Sequence, residues 1–190
     1  MAYYTKNSLE KMGFKYLGSN VKISVNATIY NHDQIEIGNN SRIDDFCIIS
    51  GKVVIGENCH ITPMCLLAGG IPGVFLSDFC TLAYGVKIFA QSDDYSGNTL
   101  TNSLIPKKYK KEIFNSVFLH KHVIIGSNSV VLPGVDIAEG CSVGAMTLVN
   151  KSTKPWGIYI GTPARRLKER NKNLLELEKQ FLEELKNDTV

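Results

Sequence analysis

An aliphatic residue at every sixth position constrains this chain more than any other feature. Leu119, Ile125, Val131, Ile137, Val143 and Val149 hold that spacing without a break. A strand alternates with period two and a helix repeats near 3.6, so a period of six is neither. Apolar repeats this short mark a β-helix, in which each unit is a short strand and a turn with one aliphatic side chain pointing inward. Three units close a triangular coil, and stacked coils form a narrow dry core. The same spacing occurs upstream in Leu17, Ile23 and Ile29, in Ile37 to Leu67, and in Leu76, Leu82 and Ile88. The phase slips at Ile35–Ile37 and between Leu67 and Leu76, which reads as small insertions at coil corners. Gly38-Asn39-Asn40 and Gly56-Glu57-Asn58 supply corner residues that tolerate positive φ.

The expected organisation is one domain over residues 1–190. A lead-in covers 1–16, the β-helix 17–160 with a loop at 91–118, and a tail and helix 161–190. The lead-in predicts a short helix over Asn7 to Met12, capped by Asn7 or Ser8 and ended by Gly13. Trp156 to Ile160 reads as a last strand. Leu174, Leu177, Phe181 and Leu185 form a helical stripe, expected to cap the open end of the coil or to meet a neighbouring subunit.

A formal net charge of +3 is too slight to argue for nucleic acid. No apolar run approaches a membrane span, and the first residues lack an apolar signal core, so a cytoplasmic location is expected. The five cysteines contain no CxxC pair and read as reduced core residues. Residues 91–118 break the repeat with Asp93, Asp94, Tyr95 and the run Lys107-Lys108-Tyr109-Lys110-Lys111. A loop that long in a compact repeat is functional or disordered. Its lysines form either a solvated face or an attractive surface for an anionic substrate.

The chain resembles the hexapeptide-repeat acyltransferases through Ile124-Ile125-Gly126 in phase with Val131-Leu132-Pro133-Gly134-Val135, then Val143-Gly144-Ala145, Trp156 and Gly161-Thr162-Pro163-Ala164-Arg165. The order is similar to the galactoside, maltose and xenobiotic acetyltransferase branch. Ser92 to Gly97 resembles a loop of the sugar O-acetyltransferases of O-antigen and capsule synthesis. The resemblance implies an all-β solenoid, the left-handed parallel β-helix, with a protruding loop and a C-terminal α-helix. It also implies a homotrimer with interfacial active sites, acetyl-CoA as acyl donor and no metal. The acceptor it implies is a sugar or nucleotide sugar. Cofactor contacts carried over by motif fall on Gly126, Ser127, Gly144, Ala145 and Asn150. Thr162, Pro163, Arg165 and Lys168 fall at the nucleotide end, where Arg and Lys suit phosphate.

The galactoside and maltose branch has a histidine base where this chain has Asp93. His60, on a coil corner, is the expected base, with Asp93 or Asp94 as its partner or as a ligand for the acceptor hydroxyl. His120 and His122, which flank Lys121, are further candidates and are expected to face out of the coil. Tyr84 and Tyr95 are expected to bind or stack on a sugar ring. The leading expectation is a sugar O-acetyltransferase of surface polysaccharide (O-antigen or capsule) synthesis. The alternatives are an N-acetyltransferase acting on a nucleotide-linked amino sugar, a metalloenzyme like the γ-type carbonic anhydrases using three histidines, and a non-catalytic β-helix scaffold.

Overall fold

The computed structural model describes residues 2–187. They form a left-handed parallel β-helix of seven coils with three flat faces. Face 1 stacks Lys22–Ile23, Arg42–Ile43, His60–Ile61, Thr81–Leu82, Ile124–Ile125, Ser142–Val143 and Gly157–Ile160 in parallel. Face 2 runs from Thr28–Ile29 through Ile49, Leu67, Ile88 and Val131 to Leu148–Val149. Face 3 runs from Tyr16–Leu17 through Ile37, Ile55, Leu76 and Leu119 to Asp136–Ile137.

Each strand is mostly two residues long, and its second residue is the aliphatic of the six-residue period. Those side chains are buried along the axis from Ile23 to Val149, apart from the half-buried Leu17 and Ile29 at the open first coil. Each fully buried aliphatic contributes about 1.5–3 kcal/mol. The five cysteines sit at inner corners, buried and unbonded to one another as disulfides. Cys47 is pushed above its ordinary value by its contact with Cys65 and by burial, and Cys80 likewise by Cys59.

The period slips have one location. The chain passes from face 2 to face 3 between Ile29 and Ile35, between Leu67 and Val74, and between Ile88 and Val117. All three insertions therefore leave the coil at the same edge, the 2–3 corner. The other two edges stay regular, and a left-handed backbone residue makes each turn there except the 1–2 turn of the first coil, between Ile23 and Ile29. On the 3–1 corner these are Asn20, Asn40, Asn58, Phe79, His122, Gly140 and Trp156. Gly140 is required because a Cβ there would lie 2.5 Å from the Trp156 ring.

The ends differ from expectation in three ways. Helix α1 is Lys6–Glu10, and its cap is Thr5, whose hydroxyl accepts from the Ser8 amide at 3.2 Å. The tail adds a strand, Arg165–Glu169, antiparallel to Gly157–Ile160, and this strand covers the end of face 1. Helix α2, Leu174–Asn187, lies instead along the 3–1 corner, with Phe181 edge-on to Phe79. Glu178 binds Lys121 and, at 2.8 Å, His122. Burial raises the Glu178 carboxyl, but hydrogen bonds from Lys121 and His122 outweigh it and hold the group below its ordinary value. Arg170 draws the tail onto the corner by donating to the carbonyls of His122 at 2.7 Å and Gly140 at 3.1 Å. Among the described residues no helix is long and apolar enough to cross a membrane.

Candidate active site

The structure distributes the expected site residues over two edges and one face. The first edge is the 1–2 corner of coils four to seven. Gly126 donates to Val143 at 2.7 Å and Gly144 to Tyr159 at 2.8 Å, so these glycines stack on successive coils. A Cβ on Gly126 would meet the Ala145 amide nitrogen at 2.4 Å, so the two backbones touch. Ser127 accepts from the Met146 amide at 2.8 Å, and Tyr84, one coil below, accepts from Asn128 at 2.8 Å. The Thr162 hydroxyl donates to the Met146 carbonyl at 3.2 Å, which seats Thr162 and Pro163 at the top of the same edge. Arg165 stands opposite Ile160 and Lys168 opposite Ile158 on the tail strand. Gly126, Ser127, Gly144, Ala145, Thr162, Pro163 and Tyr84 are thus brought into one line, with Arg165 beside its upper end. Asn150 is not, because it follows the face 2 strand and lies at the 2–3 corner.

That line has the shape an extended ligand needs. Exposed Met64, Tyr84 and Met146 continue it down and up the edge as an apolar rail. Gly126 and Gly144 are each half-buried, and a Cβ on Gly144 would meet the Ile160 side chain at 2.9 Å.

The second edge is the 2–3 corner, where the loop starts and ends. Gln91–Ser92 pairs antiparallel with Ile113–Phe114, which closes the loop at its root. Asp94 accepts from the Ser96 amide at 2.9 Å and the Thr99 hydroxyl at 3.1 Å. The Ser96 hydrogen bonds lower its carboxyl, with help from Thr99 and Lys111. Asp93 accepts from the Asn102 amide at 3.3 Å. Tyr95 stands at the tip, 93% exposed, and does not meet Tyr84. The lysine run divides: Lys110 turns inward onto Glu112 at 3.4 Å, while Lys108 lies 4.8 Å from the Tyr109 ring. Beneath the root is a cavity of about 480 Å³ whose lining includes Asn31, Ser50, Gly70, Gln91, Asp93 and Glu112.

His60 lies elsewhere, on face 1. The expected partnership with Asp93 or Asp94 does not form within the chain, because those residues stand at the far edge of face 2. The partner is Asp44, 2.8 Å from His60 Nε2. Arg42 donates to the same carboxylate at 2.6 Å and the Tyr3 hydroxyl at 3.2 Å. Asp44 is buried, which raises its carboxyl, but the hydrogen bonds from Arg42 and His60 prevail and lower it. His120 points outward to Asp136 at 2.8 Å, and His122 is covered by α2 and held by Glu178. The three histidines therefore hold three separate carboxylates. Among the described residues no group of three or more His, Cys, Asp or Glu could hold a metal ion, so the convergence that a carbonic-anhydrase-like site needs does not occur within the chain.

Sequence reasoning missed Asp44, Asn31, Gln91 and Glu112. A signal existed for the first of these. Arg42 and His60 are one full coil apart, so the six-residue count places them side by side, with Asp44 next to Arg42.

Residues 34–69 and 116–151 match the family described as bacterial transferase hexapeptide, six repeats. The dTDP-4-amino-4,6-dideoxy-D-glucose acyltransferase of Escherichia coli is 41% identical over 184 residues, covering 95% of this chain and 95% of that enzyme. The structure of AntD, an N-acyltransferase from Bacillus cereus, in complex with dTDP and 3-hydroxybutyryl-CoA superposes with a TM-score of 0.95 at 46% identity, covering 97% of this chain and 98% of that one. A variant of AntD bound to dTDP and coenzyme A gives a TM-score of 0.96 at 45% identity, covering 97% and 100%. This chain belongs to the hexapeptide-repeat acyltransferase family, and it is an acyltransferase.

Proposed function

We propose that the enzyme transfers an acyl group from acyl-coenzyme A to the amine of a dTDP-linked amino-dideoxy sugar. The observation that carries this is full-length similarity to an E. coli enzyme named for that acceptor, at 41% identity over 95% of both chains. The loop chemistry supports it. A neutral amine is already a nucleophile, so its acylation needs a proton acceptor for the ammonium rather than a strong base for a hydroxyl. A carboxylate at Asp93, where the galactoside branch has histidine, suits that lighter task. The nitrogen lone pair attacks the thioester carbonyl carbon, the carbon–sulfur bond breaks, and the thiolate leaves with coenzyme A. The ammonium gives one proton to Asp93 before attack, and the proton lost from nitrogen afterwards neutralises the thiolate.

In this reading the 1–2 edge from Tyr84 to Pro163 holds the acyl-pantetheine arm, and Arg165 and Lys168 hold the phosphates. The donor edge and the loop carboxylates flank face 2 on opposite sides, so one chain does not bring them together. A homotrimer does, by setting the loop of one copy against the donor edge of the next. Both substrates are made in the cytoplasm, and we place the enzyme there. Its product is a unit for surface-polysaccharide synthesis.

A sugar O-acetyltransferase is the second reading. The His60–Asp44 pair favours it, since a histidine oriented by a buried carboxylate is the usual device for activating a hydroxyl. Turnover with the aminated nucleotide sugar and with its hydroxyl counterpart separates the two. The first reading expects at least about a hundredfold preference in kcat/KM for the amine. Equal or reversed preference contradicts it.

A further inference from the structure

The outward residues of face 2 form a row, one per coil: Thr28, Ile48, Leu66, Lys87, Val130 and Leu148. From Ile48 to Leu148 the row is aliphatic except at Lys87, which stands between Leu66 and Val130. A half-buried charge beside aliphatic neighbours costs free energy that a leucine in the same place would not. The long stem lowers that cost by carrying the charged head away from the row. The head arrives at the 1–2 edge, where Nζ donates to the Gly85 carbonyl at 3.1 Å. Among the described residues Lys87 has no carboxylate partner.

The place of arrival is the donor edge at coil four. Gly85 follows Tyr84 there with φ of +71°, and a Cβ on it would lie 2.3 Å from Asn128 Oδ1. Glycine thus lets the Asn128 side chain of the next coil close on the corner. Lys87 reaches the same corner from face 2. The corner is the lower end of the line from Tyr84 to Pro163, where an acyl-pantetheine arm with its nucleotide at Arg165 presents its thioester.

The acyl transfer proposed above needs one more group. When nitrogen attacks the thioester carbon, the carbonyl oxygen takes up a negative charge before the carbon–sulfur bond breaks. Asp93 can take a proton from nitrogen, but a carboxylate cannot stabilise an oxyanion. A donor at the thioester end with N–H groups to spare can. A lysine head carries three N–H groups, and Gly85 occupies one.

We propose that Lys87 is the oxyanion donor. Its head hydrogen-bonds the thioester carbonyl oxygen and holds the tetrahedral oxyanion while the carbon–nitrogen bond forms. The C=O bond is restored as the thiolate leaves, and Lys87 keeps its proton throughout. This rests on the acyl-donor edge and the amine acceptor proposed above and adds a catalytic residue to them.

The test is steady-state kinetics of the full chain with acetyl-CoA and dTDP-linked 4-amino-4,6-dideoxyglucose, for wild type, Lys87→Met and Lys87→Gln. Both variants are expected to lose about 10²-fold or more in kcat. KM for each substrate and the calorimetric affinity for coenzyme A are expected to stay within about threefold, because the interaction forms only in the transition state. Lys87→Met is expected to melt no lower than wild type, since methionine completes the aliphatic row. A folded variant with kcat within about threefold of wild type overturns the assignment and leaves the function standing. A KM for the nucleotide sugar raised about tenfold or more, with kcat kept, gives the lysine to the diphosphate instead and also overturns the assignment. A wild type that yields no acylated nucleotide overturns both.

Discussion

Gly126 rests directly on Ala145: a Cβ added to the glycine would lie 2.4 Å from the alanine amide nitrogen. Coils five and six therefore touch through backbone at the edge assigned to the acyl donor. Gly126→Ala should force them apart and cost about 1–3 kcal/mol. Coenzyme A affinity should fall with it. Thermal denaturation and calorimetry check both effects, and an unchanged melting temperature would show that the corner yields freely.

The two readings of the acceptor give opposite results for two substitutions. With an amine acceptor, Asp93→Asn should lower kcat about 10²-fold or more, and His60→Ala should stay within about threefold of wild type. With a hydroxyl acceptor the losses should exchange places. Steady-state rates at saturating acyl-coenzyme A decide between them.

Asp44 is a stability element on either reading. Its folded carboxyl lies below the ordinary value of 3.8, so its contribution is complete above that pH and is lost as pH falls through the folded value. Asp44→Asn should therefore lower unfolding free energy by about 1–3 kcal/mol at pH 7. The difference should shrink below pH 3.8 as wild type loses the same charge. Urea denaturation at several pH values reads the gap, and a constant gap would mean that the asparagine fails for packing reasons.

An active site shared between copies predicts complementation. Asp93→Asn spoils the loop and keeps the donor edge, while Ala145→Trp blocks the edge and keeps the loop. Each alone should be nearly inactive. Co-expressed and randomly mixed, they should recover about a quarter of wild-type activity, since one ordered neighbour pair in four joins an intact loop to an intact edge. No recovery would place the whole site in one chain.

Much of the fold was readable because one physical rule repeats. Leu17 to Val149 mark nearly every inward position, and Asn20, Asn40 and Asn58 announce their corners because asparagine accepts left-handed backbone. Phe79, His122 and Trp156 occupy the same conformation on that edge. Bulky residues seldom adopt it, so nothing local marks them as turns. The strand Arg165–Glu169 is exposed throughout, and with no buried alternation it leaves no pattern. Helix α2 was visible, but its seat was not, because the Glu178 contacts with Lys121 and His122 join residues from opposite ends of the count. The family motifs fall on Gly126, Ser127, Gly144, Ala145, Thr162 and Pro163, which the stacked coils bring to one edge, and on Asn150, which lies away from it. The cavity was not readable, because Asn31, Gln91 and Glu112 come from three irregular segments that meet only when the coils stack. For the acceptor the sequence offers one departure, Asp93 in a histidine's place, and the amine acceptor we propose asks for that weaker base.

The central claim concerns which atom receives the acyl group. The enzyme should be incubated with acetyl-CoA and dTDP-4-amino-4,6-dideoxyglucose and the product examined by mass spectrometry and NMR. The account predicts one acetyl group, on the sugar nitrogen, with one free coenzyme A released per product. An acetyl group on a sugar oxygen, or coenzyme A released without acetylated nucleotide, would contradict it.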